Sequence, residues 1–299
     1  MTTTSRAPSE LEKPGAAIIS QNGLHEAHDV VRKARSVSTV PSSATVTFGE
    51  GTSGEGTSGE GTSGEGTSAK GRSASGIFGE RSMRVGVLGG TGPAGSALAA
   101  RLASVGVEVV VGSRSEDKAA GVVSELTKRW SGIDAGIWPG SNRAAAEADI
   151  VVVSTPWEGA VTTVKELRSE LSGKTVVSMV NAMARWGDRV VPLLPPTGSV
   201  AVAIAEALPA SRVAGAFHHL PAGPLGDLDQ HLSADVMVFA DTRAVADEVI
   251  ALVNRIPGLR GVDVGGLASG LAVEALTAAL VEVNRRYKVH SSLRLTGID

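Results

Sequence analysis

Residues 83–112 constrain the fold more than any other stretch. Met83-Arg-Val-Gly-Val-Leu88 is an apolar, β-branched run that reads as a buried strand. Gly89-Gly-Thr-Gly-Pro-Ala-Gly95 follows, then a helical pattern over 96–105, with Gly106 as the expected C-cap residue, and a second apolar run over 107–112. Strand, glycine turn, helix and strand within about 30 residues make a βαβ unit, which commits the chain to a parallel sheet. Gly90-x-Gly92-x-x-Gly95 sits where such a unit binds a dinucleotide. Gly90 is expected to permit the tight turn, Gly92 to let backbone approach a pyrophosphate and Gly95 to let helix and strand pack closely. With Thr91, Pro93 and Ala94 these residues form the expected cofactor cradle, facing a helix N-terminus that favours phosphate.

The end of the second strand selects the nucleotide. An NAD site places Asp or Glu there for the ribose hydroxyl. This chain has Gly112-Ser113-Arg114-Ser115, with Lys118 in the next helical turn. A hydroxyl and a guanidinium bind a 2′-phosphate, which a carboxylate would repel. NADP(H) is the expected cofactor, held by Ser113 and Arg114; Lys118 either joins them or is a solvated charge. Val151-Val-Val-Ser-Thr-Pro156-Trp157 reads as a further strand ending at the ligand crevice. Pro156 fixes the turn, and Trp157 either walls the nicotinamide site or packs a helix.

Further strands are expected at 149–154, 175–180, 213–218, 235–239 and 259–264, and helices at 158–171, 199–208, 243–254 and 269–287. This alternation predicts an α/β, doubly wound sheet. The expected organisation is a tail over 1–82, a nucleotide-binding domain over 83–232 and a small C-terminal domain over 233–299. In the tail, Gly-Glu-Gly-Thr-Ser repeats four times from Gly49 to Ser68 and offers nothing to bury. Disorder is expected there, with at most a short helix over 24–35. Met83 also stands where a start residue would. Cysteine is absent and the formal net charge is −3, which argues against thiolate metal sites and nucleic-acid binding. No apolar run is judged to approach the ~20 residues of a membrane span, no secretory leader is seen, and a cytoplasmic protein is expected. No metal cluster, nucleophile triad or Tyr-x-x-x-Lys dyad is legible. His218 and His219 stand at a predicted strand end, where either is an acid–base group or a structural residue. The missing proton donor leans toward a second substrate that delocalises its own charge.

Five motifs in order carry a family resemblance: 83–95, Val-Gly-Ser-Arg at 111–114, Thr-Pro-Trp-Glu at 155–158, Ala-Phe-His-His-Leu at 216–220, and Asn-Arg-Arg-Tyr-Lys-Val-His-Ser-Ser-Leu-Arg-Leu-Thr at 284–296. Together they resemble the NADPH-dependent reductases of coenzyme F-420 (F420) across nearly all of 83–299. The resemblance implies a Rossmann-type fold with a small C-terminal domain that contributes to the deazaflavin pocket and to dimer contact. It implies a homodimer and hydride exchange between NADPH and the 8-hydroxy-5-deazaflavin F420 mainly by positioning, with His218 the one possible catalytic side chain. Thr91, Ser113, Arg114 and Lys118 would hold NADP; Pro156, Trp157, His218 and Leu220 would flank the deazaflavin ring. The chain departs from that pattern at Val180-Asn-Ala182-Met, where relatives carry a proline, and at Pro221-Ala-Gly-Pro-Leu225; the 193–198 loop looks shortened. The competing readings are an NADPH-dependent reductase of another small acceptor (imine, flavin or ferric chelate) and a non-catalytic NADPH-binding sensor. Turnover with F420 separates them.

Overall fold

The computed structural model describes residues 83–298; the pentad repeat and the helix expected over 24–35 lie outside the described residues. The chain from Met83 onward builds an eight-stranded sheet. Its first half runs β1 (Arg84–Leu88), α1 (Pro93–Ala103), β2 (Glu108–Ser113), α2 (Glu116–Arg129), β3 (Ile137–Ser141), α3 (Asn142–Ala146), β4 (Ile150–Val153), α4 (Trp157–Glu166), α5 (Arg168–Leu171) and β5 (Thr175–Ser178). A hairpin of β6 (Met183–Trp186) and β7 (Arg189–Pro192) follows, then α6 (Val200–Ala207), β8 (Arg212–Gly215), α7 (Ala222–Gly226), β9 (Ala234–Ala240), α8 (Arg243–Asn254), β10 (Leu259–Asp263) and α9 (Gly270–Tyr287).

The sheet order is β10-β9-β8-β5-β4-β1-β2-β3, parallel except where β8 meets β9. The chain winds outward from β1 through β2 and β3, then returns to pair β4 on the other flank of β1. Apolar clusters cover both faces. One gathers Val85, Val87, Leu98 and Leu102 with Val249 and Leu252. The other gathers Leu88, Val151, Val153, Val164, Ile204 and Phe239. Burial on both faces explains why the strands read as unbroken apolar runs.

Several element ends differ from expectation for local reasons. Helix α1 starts at Pro93, not 96, because proline is pre-set for the first helical position. It ends at Ala103 with Ser104 as its C-cap, and Gly106 turns the chain at φ +77° two residues later. The helix expected over 158–171 breaks at Leu167 into α4 and α5. Strand β8 stops at Gly215 rather than 218, because Phe217 adopts φ +65° and carries the chain out of the ladder. β3 and the β6–β7 hairpin were not anticipated: Ile137-Trp-Pro-Gly-Ser141 has one buried residue, and the hairpin none.

β9 pairs with β8 through Ala214–Ala240 and Gly215–Phe239, so the sheet continues across the boundary expected at 232/233. The extended C-terminus is strapped along it. Asp235 N–H donates to the Leu293 carbonyl at 2.8 Å, and Leu295 N–H donates to Asp235 Oδ2 at 2.6 Å. Arg260 grips both Asp235 oxygens at 2.9 and 2.8 Å and also donates to the carbonyls of Leu295 and Ile298. The Arg260 guanidinium holds the Asp235 carboxyl below the usual carboxylate range. Leu267–Tyr287 is long and apolar enough, by length and composition, to cross a bilayer, at mean hydropathy 1.4. This corrects the expectation that no run approaches that length. Glu274 and Glu282 interrupt it in sequence, and in the fold the stretch holds α9, which packs on β7 and α6.

Candidate active site

Between β1 and β4 the strand order reverses, and there the carboxyl ends of the strands part to leave a crevice. A cleft of about 630 Å³ opens at this point. Thr91, Gly92, Pro93 and Ala94 line it from the loop and the first turn of α1, opposite Pro156. Ser113, Arg114 and Lys118 line the end beyond β2, joined by Ser115, and among the described residues no carboxylate lines the cleft. Ser115 caps α2, accepting from Lys118 N–H at 3.3 Å, while its own N–H donates to Ser113 Oγ at 3.2 Å. These two bonds fix the turn that presents Arg114 and Lys118.

The loop glycines divide the work differently from expectation. The left-handed turn residue is Gly89, at φ +69°, and not Gly90. Asn142 Oδ1 accepts from Gly89 N–H at 3.1 Å and secures the turn from α3. Gly90 and Gly95 do not line the cleft. A Cβ on Gly90 would stand 2.9 Å from the Val87 carbonyl, and one on Gly95 would stand 2.4 Å from Ser154 Oγ. Gly90 packs against Val87 of β1 and Val111 of β2, and Gly95 against Ser154 at the end of β4. A Cβ on Gly92 would meet only the Gly89 carbonyl at 3.6 Å and otherwise project into open space. Gly92 thus lines the cleft with room left where a side chain would stand.

A recess of about 260 Å³ adjoins the cleft and shares Ala94, Ser154, Thr155 and Pro156 with it. Trp157, the first residue of α4, lines it together with Met179, Val180, Asn181 and Met183. Among the described residues its only ionisable side chain is Glu158. Thr155 Oγ1 and Asn181 Oδ1 are both buried here without a hydrogen-bond partner among the described residues. Sequence reasoning missed Gly89, Ser115, Asn142, Thr155 and Met179, and marked Asn181 and Met183 only as part of a departure from the family pattern. Ser115 was legible as a helix cap, whereas Asn142 reaches Gly89 only because α3 packs on β1.

Two expected ring-flanking residues lie elsewhere. The His218 side chain is fully buried and stacks on Phe239, ring centroids 5.3 Å apart. It faces the core because the Phe217 turn rotates the chain after β8. Its Nε2 lies 4.0 Å from Glu274 Oε1, and that carboxylate accepts from Val200 N–H at 2.8 Å and Ala201 N–H at 3.0 Å. Burial pushes His218 down to about 3, with His219 adding to the effect, and pushes Glu274 up to about 6. His218 is therefore a neutral ring near neutral pH. Its carbonyl accepts from Nδ2 of Asn181, a residue lining the recess, at 2.9 Å. His219 Nε2 pairs with the Asp235 carbonyl at 2.7 Å. Leu220 lines a separate cavity of about 210 Å³ with Pro221, His231 and His290. Among the described residues no cluster of three or more metal-ligating side chains occurs.

Residues 84–182 match the family model described as NADP oxidoreductase, coenzyme F420-dependent. The chain is 38% identical over 224 residues to the F420-dependent NADP reductase of Methanocaldococcus jannaschii, covering 73% of this chain and 100% of that one. It is 30% identical to the F420-dependent NADP reductase of Methanothermobacter thermautotrophicus, covering 72% of this chain and 96% of that one. A crystal structure from Arthrobacter sp. FB24, assigned as an F420-dependent NADP reductase, superposes with a TM-score of 0.63 at 20% identity, covering 72% of this chain and 99% of the other. At that identity the last likeness shows the fold.

Proposed function

The chain belongs to the F420-dependent NADP reductase family, and from that premise we infer that it transfers a hydride between NADPH and the deazaflavin coenzyme F420. The observation that carries the nucleotide half is the end of the cleft beyond β2, which offers Ser113, Arg114, Ser115 and Lys118 and no carboxylate. Two cations and two hydroxyls suit a 2′-phosphate. Gly92 leaves open the space that a pyrophosphate needs at the start of α1. The residues present therefore fit NADP, with Thr91 and Pro93 as the near wall.

NADPH held there would supply a hydride from its nicotinamide to the deazaflavin ring, whose conjugation would delocalise the charge. The protein's part is to bind, orient and exclude water. Pro156, Trp157, Met179 and Met183 offer the recess a mainly apolar wall, against which a flat ring system can lie. A neutral buried His218 supplies no proton, in keeping with catalysis by positioning. On the same reading the protein works in the cytoplasm, where NADPH is regenerated. It forms a homodimer through the C-terminal part of the chain, where α9 exposes Leu271, Val283 and Tyr287. The test of the function is to mix the protein with NADPH and F420 and follow the deazaflavin absorbance. Bleaching that depends on both enzyme and NADPH is expected; NADPH binding without bleaching would overturn the reading.

A further inference from the structure

We propose that Asn181 is a positioning residue for the redox ring, its side-chain carbonyl accepting a hydrogen bond from an amide N–H of the bound ring system. The inference rests on the function proposed above. Asn181 follows β5, beside the end of β4, and lines the recess with Thr155, Pro156, Trp157 and Met183.

The orientation of its amide follows from chemistry. The His218 carbonyl lies 2.9 Å from one amide atom of Asn181, and a carbonyl can only accept. That amide atom is therefore the NH₂ nitrogen, and the other is Oδ1. The anchor is firm: the His218 carbonyl also accepts from Thr277 Oγ1 of α9 at 3.2 Å, and the His218 ring is locked against Phe239. Asn181 Oδ1 is left buried with no partner among the described residues. A buried acceptor without a donor is costly and uncommon, so it marks a place where a donor arrives. Thr155 Oγ1, on the same wall and also buried without a partner, can donate or accept beside it.

The complementary group presents an N–H next to a C=O on a flat ring. Two parts of the proposed substrates share that chemistry: the nicotinamide carboxamide and the imide edge of the deazaflavin. Neither needs a charged partner, which agrees with a wall whose only ionisable side chain is Glu158.

The test is a binding cycle read by calorimetry on the full chain. Dissociation constants are measured for wild type and Asn181→Ala with NADP⁺, with its 3-acetylpyridine analogue, which lacks the carboxamide NH₂, with the deazaflavin, and with its N3-methyl derivative. Loss of one hydrogen bond predicts an affinity drop of about 5- to 10-fold. If the carboxamide is the donor, Asn181→Ala weakens NADP⁺ by that factor and leaves the acetylpyridine analogue unchanged. If the imide is the donor, the same contrast appears between the deazaflavin and its N3-methyl derivative. Equal losses for each parent and its analogue, or no loss for any ligand, would overturn the proposal. A wild type that binds NADP⁺ with no preference for either parent over its analogue would also overturn it, whether or not the variant folds. A wild type that binds no NADP⁺ would instead overturn the function on which the proposal rests.

Discussion

Gly92 and Gly95 belong to one loop, yet substitution at the two positions is expected to do different things. At Gly92 the added side chain enters open space, so Gly92→Val should fold normally and lose NADP binding. Calorimetry with NADP on a variant whose circular dichroism matches wild type checks this; retained affinity would place the phosphates elsewhere. At Gly95 the same change meets Ser154 Oγ at 2.4 Å and should lower stability instead. Arg114 lines the cleft end that lacks a carboxylate. Removing its charge-assisted contact should cost ~1.5–3 kcal/mol of NADPH binding, roughly 10–150-fold in kcat/KM. Arg114→Ala should show that loss with NADPH and little change with NADH, and equal use of both nucleotides by wild type would contradict the assignment.

His218 illustrates how position in the chain and position in space part company. Burial lowers its pKa from 6.5 to about 3, so the folded protein binds fewer protons than the unfolded chain between those values. Stability from this group is full above pH 6.5 and falls as pH drops toward 3, by ~1.4 kcal/mol per unit. Glu274 acts oppositely. Burial raises it from 4.5 to about 6, so its cost is relieved as pH falls through 6. From pH 7 to 5 the histidine term is ~2 kcal/mol and the glutamate offsets ~1 kcal/mol of it. His218→Phe should therefore be less acid-sensitive than wild type when Tm is compared at the two pH values; parallel loss in both proteins would refute the assignment.

At the scale of elements, the sheet and its helices are joined by a few buried polar ties. Arg101 on α1 donates to the carbonyls of Pro224, Leu225, Asp227 and Gln230, and so fastens α7 and the following loop to the helix that starts at the glycine loop. Burial lowers its pKa, and Asp227 opposes that. Arg101→Met keeps the stem and leaves these carbonyls without donors, which should cost about 2–4 kcal/mol. Chemical denaturation measures it, and an unchanged midpoint would show that water replaces the guanidinium at no cost. The 284–296 motif is a tie of the same kind. Asn284 Oδ1 accepts from Ser291 N–H and Oγ, both at 2.6 Å, and Lys288 turns the chain at φ +53° before the strap along β9.

For the whole molecule, β1 finds both its neighbours, β2 and β4, within the described residues, and both faces of the sheet are covered by helices from the same span. A chain starting at Met83 should therefore fold, bind NADP and turn over like the full-length protein. Comparing Tm and kcat/KM for the two at equal concentration decides it, and a fall of several degrees on truncation would show that residues before Met83 contribute contacts.

The sequence by itself determined the α/β alternation, the glycine loop after β1 and the nucleotide type. Each is local: a buried parallel strand is a short apolar run, a glycine loop has fixed spacing, and the residues after β2 are contiguous. The edge strand β3 and the hairpin escaped because partly exposed strands carry no such run. Tertiary structure alone decided which side chains face the cleft. The left-handed turn at Phe217 sends the His218 ring into the core and leaves its carbonyl to hold Asn181, and no residue pattern around 216–220 announces that dihedral angle. Asn181 gained its place the same way, because its partner lies 37 residues away and is brought near only when β5 and β8 pair.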